Sequence, residues 1–527
     1  MCARGKTTRK QDQQLELKLP HAQAFHYCVG EEGRRFKATQ LFNHLYEACN
    51  ILRGPINQDE FKAYVIPILF LKRISDCYDE ETAAAKAKYG EDVVLYSEEE
   101  LHPFKMPEGC HWKDIREKRE DLGKAIVDAM MELENANPEA MAGLFSSFDD
   151  ANWTDKHKLS DEVLRNLIEH MSVPVGNTAY SADIMGDAYE YLLKKFADIQ
   201  KKNAGEFYTP RTIVKLMVQM LAPQPGETVY DPACGTGGML IEAIRQLGGR
   251  ADVYGRIFGQ EKNLSTSAIA RMNLFLHGAQ EFAIRQGDTL LNPQFKSGGG
   301  LQKFDCVLAN PPFGLSKWGA AAFEDDQHGR CIWGAPPDSN ADYAWLQHMF
   351  VSMRPGTGRC AVVMPQGVLF HGGKEGEMRR KMVETDTLEC VINLVGGVFF
   401  GAGVSACILY FNRNKSAAHR GKVCLIDATK IYTAKRAQNE MSEDDIARVF
   451  KLWQDYADVK DYVKIATLDD LAKNDYTLAV NTYVEKTEAA AIDPAEVRKS
   501  FAAALQEVQD SEAALVKILR KVGYVAE

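Results

Sequence analysis

The sequence predicts an α/β protein in which a mostly parallel sheet lies between two helical regions. Three observations carry that expectation. Over residues 227–411 short apolar runs alternate with stretches of helical spacing, the pattern of parallel strands joined by crossover helices. Before it, over residues 38–170, apolar positions recur three and four apart. After it, Val497, Phe501, Leu505, Val508, Leu515 and Leu519 follow steps of three, four or seven, a coiled-coil-like face interrupted by Glu512.

Composition bounds what such a fold does. A length of 527 residues suggests about three domains, and 45% hydrophobic with 26% charged residues is ordinary for a globular chain. The net charge of −10 argues against an autonomous nucleic-acid binder, so phosphate contact needs a local patch or a partner. Twelve cysteines occur without a C-x-x-C pair, which points to buried free thiols in a reducing compartment and to no zinc or other metal site. Residues 1–20 are polar and basic with no apolar stretch, so they read as a flexible tail and not a secretory signal. The longest mostly apolar stretch, residues 395–411, is broken by Gly396, Gly397, Gly401 and Gly403 and reads as loop then strand, leaving no membrane span. A soluble, cytoplasmic protein is expected.

In chain order, Leu41, Leu45, Ala48 and Leu52 mark a first helix, and Phe61, Val65, Leu69 and Ile74 a second beyond the Arg53-Gly54-Pro55 break. Residues 85–107 are charged and read as a surface excursion; residues 115–134 and 161–171 read as further helices. Residues 183–199 form an amphipathic helix with Leu192, Leu193 and Phe196 on one side, and Lys194, Lys195, Lys201 and Lys202 read as a solvated face. The loop Gly205-Glu206-Phe207-Tyr208-Thr209-Pro210 follows, with Thr209 and Pro210 suited to the N-cap and first position of the next helix. Aromatics at a helix mouth suit a ligand cover.

The sheet then opens with Val229-Tyr230 and the turn Asp231-Pro232-Ala233-Cys234-Gly235-Thr236-Gly237-Gly238, leading into a helix over residues 239–247. Glycines between strand and helix let a ligand approach backbone N–H groups at the helix start. The spacing is not that of a dinucleotide site, and the anionic Asp231 would repel pyrophosphate. It suits an amine-bearing or cationic ligand and favours S-adenosylmethionine. Glu261 ends the second strand about 20 residues beyond the glycine turn, the usual place for an acid on ribose hydroxyls. Asp288 follows the third strand, where it could meet an adenine amine. Alone either acid would be a cap or surface group; in this order both become ligand contacts.

The stretch around which the chain is organised is Leu308-Ala309-Asn310-Pro311-Pro312-Phe313. An apolar strand runs into two prolines, which stop the ladder and leave the Asn310 amide and Pro311 carbonyl as acceptors beside the Phe313 ring. That arrangement suits a planar amine that must be held and made nucleophilic. Residues 313–342 then carry Lys317, Trp318, Arg330, Trp333, Pro336 and Pro337 with little periodicity, and read as a substrate-engaging loop. Residues 360–364, 388–394, 406–411 and 423–426 supply later strands, and the remainder reads as helix.

Together these pieces resemble an N6-adenine methyltransferase of the gamma class and, more narrowly, the modification subunit of a type I restriction–modification system. Ile51-Leu52-Arg53-Gly54, Glu60-Phe61-Lys62, residues 68–76, Ala341-Asp342-Tyr343-Ala344-Trp345 and Arg359-Cys360-Ala361-Val362-Val363-Met364-Pro365 carry the narrower likeness, which covers residues 39–484. One departure is Thr482, where arginine is expected.

The resemblance implies a Rossmann-like S-adenosylmethionine-dependent methyltransferase sheet over residues 176–440, a tail over 1–37, a helical N-terminal domain over 38–175 and a helical region for subunit contacts over 441–527. It implies methyl transfer to a flipped adenine in double-stranded DNA, with Asn310, Pro311, Pro312 and Phe313 catalytic. Glu206, Phe207, Tyr208, Thr209, Pro210, Arg211, Asp231, Gly235, Thr236, Gly237, Gly238, Glu261 and Asp288 would bind the cofactor. The implied partners are a specificity subunit flanked by two modification subunits, with a restriction subunit as an optional member, in a bacterial or archaeal cell. A protein glutamine methyltransferase shares an Asn-Pro-Pro-aromatic turn, but typically with tyrosine and without the loop over residues 206–210. The intact Asp231, Gly235, Gly237, Asn310 and Pro311 argue against a non-catalytic scaffold.

Overall fold

The computed structural model describes residues 31–90, 97–148, 151–199, 209–247, 256–279, 282–399, 405–434, 439–486 and 494–521. Its strands are β1 (Val229–Asp231), β2 (Ile257–Glu261), β3 (Ala283–Gln286), β4 (Lys296–Ser297), β5 (Gly300–Leu301), β6 (Cys306–Ala309), β7 (Arg359–Pro365), β8 (Leu388–Asn393), β9 (Ala406–Asn412), β10 (Lys422–Asp427) and β11 (Val463–Thr467). Nine of them form one sheet in the order β11-β10-β8-β9-β7-β6-β1-β2-β3, and β4 pairs with β5 in a small hairpin. From β3 to β7 every neighbour is parallel. The strand β9 runs antiparallel to both β7 and β8, and β11 antiparallel to β10.

Strands β1, β6 and β8 are buried along their whole length, because helices or loops cover both faces. That explains why they read as unbroken apolar runs and not as alternating ones. The chain leaves β1 toward β2 and β3, then returns to place β6 on the other side of β1. The reversal opens a crevice at the C-terminal ends of β1 and β6, the place where doubly wound sheets bind ligands.

The N-terminal helices Glu31–Leu52, Phe61–Tyr89, Leu122–Ala136 and Asp161–Met171 share an apolar core with helix Ala182–Ile199. That core extends into the sheet region through one element. Helix Leu264–Leu276, which follows β2, gives Ala268, Ile269, Met272 and Leu276 to the N-terminal core and Ala270 and Leu274 to a core beneath the sheet. Phe275 on the same helix meets Phe70 edge-on at 5.4 Å. Helix Ala182–Ile199 passes so close that a Cβ on Gly186 would lie 2.2 Å from the His277 ring, so the approach requires glycine there.

Three expectations are corrected. Residues 85–107 are not wholly a surface excursion: the second helix runs to Tyr89, and Phe104 and Met106 are buried, with the His102 ring stacked on Tyr78. The stretch 115–134 is two helices, Trp112–Glu117 and Leu122–Ala136, divided where Asp121 takes a left-handed conformation. Beyond β10 the chain adds β11 before its last helices; half-exposed Lys464 and Ile465 hid that edge strand. The final helix, Pro494–Lys521, carries Phe501, Leu505, Val508, Leu515 and Ile518 on its surface. Among the described residues no helix is long and apolar enough to cross a membrane.

Candidate functional site

The crevice is built first by the turn after β1. Gly235 and Gly237 take φ of 52° and 83°, conformations side chains resist, and they aim the start of helix Gly238–Gln246 at the crevice. Asp231, only 1% exposed, accepts from the Ala233 N–H at 3.0 Å. Burial pushes its carboxyl up to about 8, with the nearby Glu261 charge adding to the shift. Glu261 accepts from the Gly235 N–H at 3.1 Å and the Asn263 N–H at 2.8 Å, bracing the turn against the end of β2.

The second wall comes from β6. Asn310 donates its Nδ2 to the Thr209 hydroxyl at 2.8 Å, while its Oδ1 is buried with no hydrogen-bond partner. An orphaned buried acceptor is costly, and one at a crevice mouth is poised for a donor that arrives with a ligand. Asn310, Thr209, Arg211, Asp231, Gly235, Thr236 and Gly238 line one cavity of about 100 Å³. Glu190 lines it too; burial raises its carboxyl although Arg211 lies 3.2 Å away. Arg211 also pairs with Asp187 at 2.8 Å. Acids around a helix start suit a ligand with both an ammonium or sulfonium cation and a carboxylate.

Other expected residues stand differently. Gly237 turns away, its Cβ direction meeting Ala270 at 3.6 Å. Asp288 spends one oxygen on the N–H groups of Leu290 and Leu291 and pairs the other with Lys262 at 2.8 Å. Pro311 is buried, Pro312 is half-buried, and Phe313 packs partly buried against the sheet core. Glu206, Phe207 and Tyr208 lie outside the described residues. Thr209 is not an N-cap: helix Arg211–Leu221 is capped at Pro210, whose ring offers no acceptor, and the Thr209 hydroxyl accepts from Asn310 instead.

The loop over residues 313–342 is also not the open substrate arm that its cations and aromatics suggest. Trp318 and Trp333 are buried in a core with Phe323 and Leu290, and Trp318 donates to the Pro337 carbonyl. Arg330, 2% exposed, donates to the carbonyls of Thr289 and Leu290 and to Asp326, and lies over the Phe323 ring. Thr289 in turn donates to the Pro232 carbonyl at 2.6 Å, so the loop braces the turns that carry Asp231 and Asp288. Glu190 was missed because an acid between two tyrosines on an amphipathic helix carries no mark that separates a lining group from a surface one.

A group close enough to hold a metal, His44 with Glu47 and His170, lies in the N-terminal helices. There each imidazole Nε2 meets the other residue's carbonyl at 2.8 Å, so the pair reads as a helix-to-helix tie.

Comparison with known proteins places the fold in a family. The family model described as N-6 DNA Methylase matches residues 180–491, and that of the HsdM N-terminal domain matches residues 41–171. The methylase subunit of the type I restriction enzyme HindI from Haemophilus influenzae is 32% identical over 73% of this chain and 90% of that protein. The MjaVIII methylase subunit from Methanocaldococcus jannaschii is 29% identical over 92% of this chain and 83% of that protein. A crystal structure of a type I restriction–modification methyltransferase subunit from Streptococcus thermophilus superposes with a TM-score of 0.74 at 26% identity, covering 85% of this chain and all of that one.

Proposed function

This chain belongs to the N-6 DNA methylase family, and from that premise we propose that it is the modification subunit of a type I restriction–modification complex, methylating N6 of adenine in double-stranded DNA. Its cofactor is S-adenosylmethionine, which supplies an electrophilic methyl group on a sulfonium. The observation that carries the reading is the orphaned Asn310 Oδ1 beside an acid-lined cavity at the sheet reversal.

The residues divide the work. Asp231 and Glu190 hold the cationic methionine end, with the N–H groups of Thr236 to Gly238 at its carboxylate and Glu261 at the ribose. Asp288 reaches the cofactor adenine only after sharing its Lys262-paired oxygen. The target amine is a poor nucleophile because its lone pair is delocalised into the ring. Hydrogen bonds from that amine to Asn310 Oδ1 and the Pro311 carbonyl pull it toward sp³ geometry, and direct transfer then requires alignment more than covalent catalysis. Bound there, the cofactor would supply the methyl group to the amine nitrogen and leave as S-adenosylhomocysteine, with the proton lost from the amine passing to water. The base must leave the duplex to reach this position, and Phe313 stacks on it there.

A net charge of −10 fits a catalytic subunit that leaves sequence reading to a partner. A specificity subunit flanked by two copies of this chain, with a restriction subunit as an optional member, is the assembly we propose. The residues over 441–527 supply contacts, the exposed stripe of helix Pro494–Lys521 among them.

The test maps N6-methyladenine in DNA from cells expressing this chain with its specificity subunit, beside an Asn310→Ala variant. A bipartite motif methylated only by the active chain is expected. Absence of new methylation from an assembled, cofactor-binding complex would overturn the assignment.

A further inference from the structure

We propose that Phe370 is the wedge that enters the DNA stack and fills the gap left by the flipped adenine. The inference rests on the function proposed above. Among the described residues Phe370 and Phe501 are the only largely exposed phenylalanines, and Phe370 is 54% exposed. Isolated exposed apolar residues are common and by themselves mean nothing. Two features set this one apart.

The first is rigidity. Phe370 follows the short turn Gln366–Leu369, whose Val368 and Leu369 are buried. Arg379, itself 3% exposed, donates to the carbonyl of His371, just after the turn, at 2.7 Å and to that of Tyr476, on a distant segment, at 2.9 Å. Tyr343 donates its hydroxyl to the Val368 carbonyl at 2.8 Å, and the Leu478 N–H donates to the Leu369 carbonyl at 2.8 Å. The His371 ring stands edge-on to Phe370 at 5.3 Å, in space that a Cβ on Gly367 would close, since it would fall 2.5 Å from that ring. The backbone that carries this exposed aromatic is therefore fixed before any partner arrives, and its ring leans on His371, which lowers the cost of presenting a wedge.

The second is position. β7 lies beside β6, with Ala309 opposite Val362, so the turn after β7 leaves the same end of the sheet as Asn310. Hydrogen bonds join the two places without a gap. The Gly314 N–H, one residue beyond Phe313, donates to Asp342 at 2.9 Å, and the Asp342 N–H donates to the Asn340 side chain at 3.0 Å. Asn340 donates to Glu375 at 2.9 Å, whose other oxygen meets His371 Nδ1 at 2.8 Å. The catalytic turn and the Phe370 turn are therefore tied to one another through Asp342, Asn340 and Glu375. Apolar wedges inserted between base steps are an established way to hold a duplex distorted, because every base offers a face on which to stack.

The experiment uses the assembled complex of this chain with its specificity subunit, on a duplex carrying the mapped target with 2-aminopurine in place of the target adenine. Wild type should raise the 2-aminopurine fluorescence on binding, and Phe370→Ala should lose most of that rise. On an adenine target, Phe370→Ala should lower kcat by roughly tenfold or more, the scale of one lost base–aromatic stack. Cofactor affinity, melting temperature and complex assembly should stay at wild-type values, and Phe370→Trp should retain activity. Placing the target adenine opposite an abasic site removes its pairing, so on that duplex Phe370→Ala should recover to within about threefold of wild type. Equal loss on both duplexes, loss of assembly, or no loss on either would each overturn the proposal. Failure of the wild-type complex to methylate adenine at all would instead overturn the function on which it rests.

Discussion

The Asn310 side-chain amide donates to the Thr209 hydroxyl at 2.8 Å across 101 residues of sequence. The bond decides which end of the amide enters the crevice: with Nδ2 held, Oδ1 is presented. Thr209→Val keeps the side-chain shape but removes the acceptor, and should lower kcat about tenfold, the worth of one hydrogen bond of about 1–1.5 kcal/mol. Thr209→Ser should recover most of the rate. Steady-state methylation with parallel cofactor titration checks this, and an unchanged cofactor affinity would assign the hydroxyl to Asn310 and not to the cofactor.

Asp231 makes cofactor binding depend on pH. Burial lifts its carboxyl to about 8, so near neutral pH the free protein holds it protonated, and a cation can gain from it only by releasing that proton. Cofactor affinity should therefore climb as pH rises from 6 toward 8 and level off above. The same shift makes the acid's contribution to stability fall as pH rises through that range, because the folded chain holds a proton that the unfolded one has given up. Asp231→Asn should bind more weakly and flatten the affinity profile. Calorimetry in buffers of differing ionisation enthalpy reads the proton release directly.

Arg330 and Asp326 form an ion pair with side chains only 2% and 4% exposed. Arg330→Met leaves Asp326 buried without its charge partner and frees the Thr289 and Leu290 carbonyls. Removing one partner of such a pair costs about 3–5 kcal/mol. The melting temperature should fall, and cofactor affinity should weaken several-fold because the Asp288 turn loses its brace. Thermal melts with and without cofactor separate the two effects.

Phe501 and Val508 are 67% and 63% exposed on the last helix, so replacing both with aspartate should leave the melting temperature of this chain unchanged. If the stripe meets the specificity subunit, the double variant should weaken that complex by about a hundredfold or more, as loss of buried anchor residues does. Analytical ultracentrifugation of the mixed subunits measures it.

Much of this architecture was legible in the sequence because its signals are local. The strand–turn–helix at Asp231 and the strand–proline stop at Asn310 are short patterns whose chemistry sits in adjacent residues, and both reach the crevice in the order expected. What sequence spacing could not show was pairing over distance. Thr209 looked like a helix cap because its neighbour is proline, yet its hydroxyl is claimed by a residue from another strand. Trp318, Trp333 and Arg330 looked like a substrate arm because they are large and lie in a long aperiodic stretch. They face inward because that loop closes its own small core against Leu290. The strand β11 escaped notice because an edge strand needs no apolar run on both faces.

Helix Leu264–Leu276 belongs to two cores at once, and this bears on how the polypeptide is made. The N-terminal helices emerge from the ribosome well before it, carrying an apolar surface that this later segment helps to cover. That core is complete only once β2 and its following helix have been synthesised. Bundle and sheet share that helix, so a break introduced between them would leave each fragment with an uncovered greasy face, and not yield two working parts.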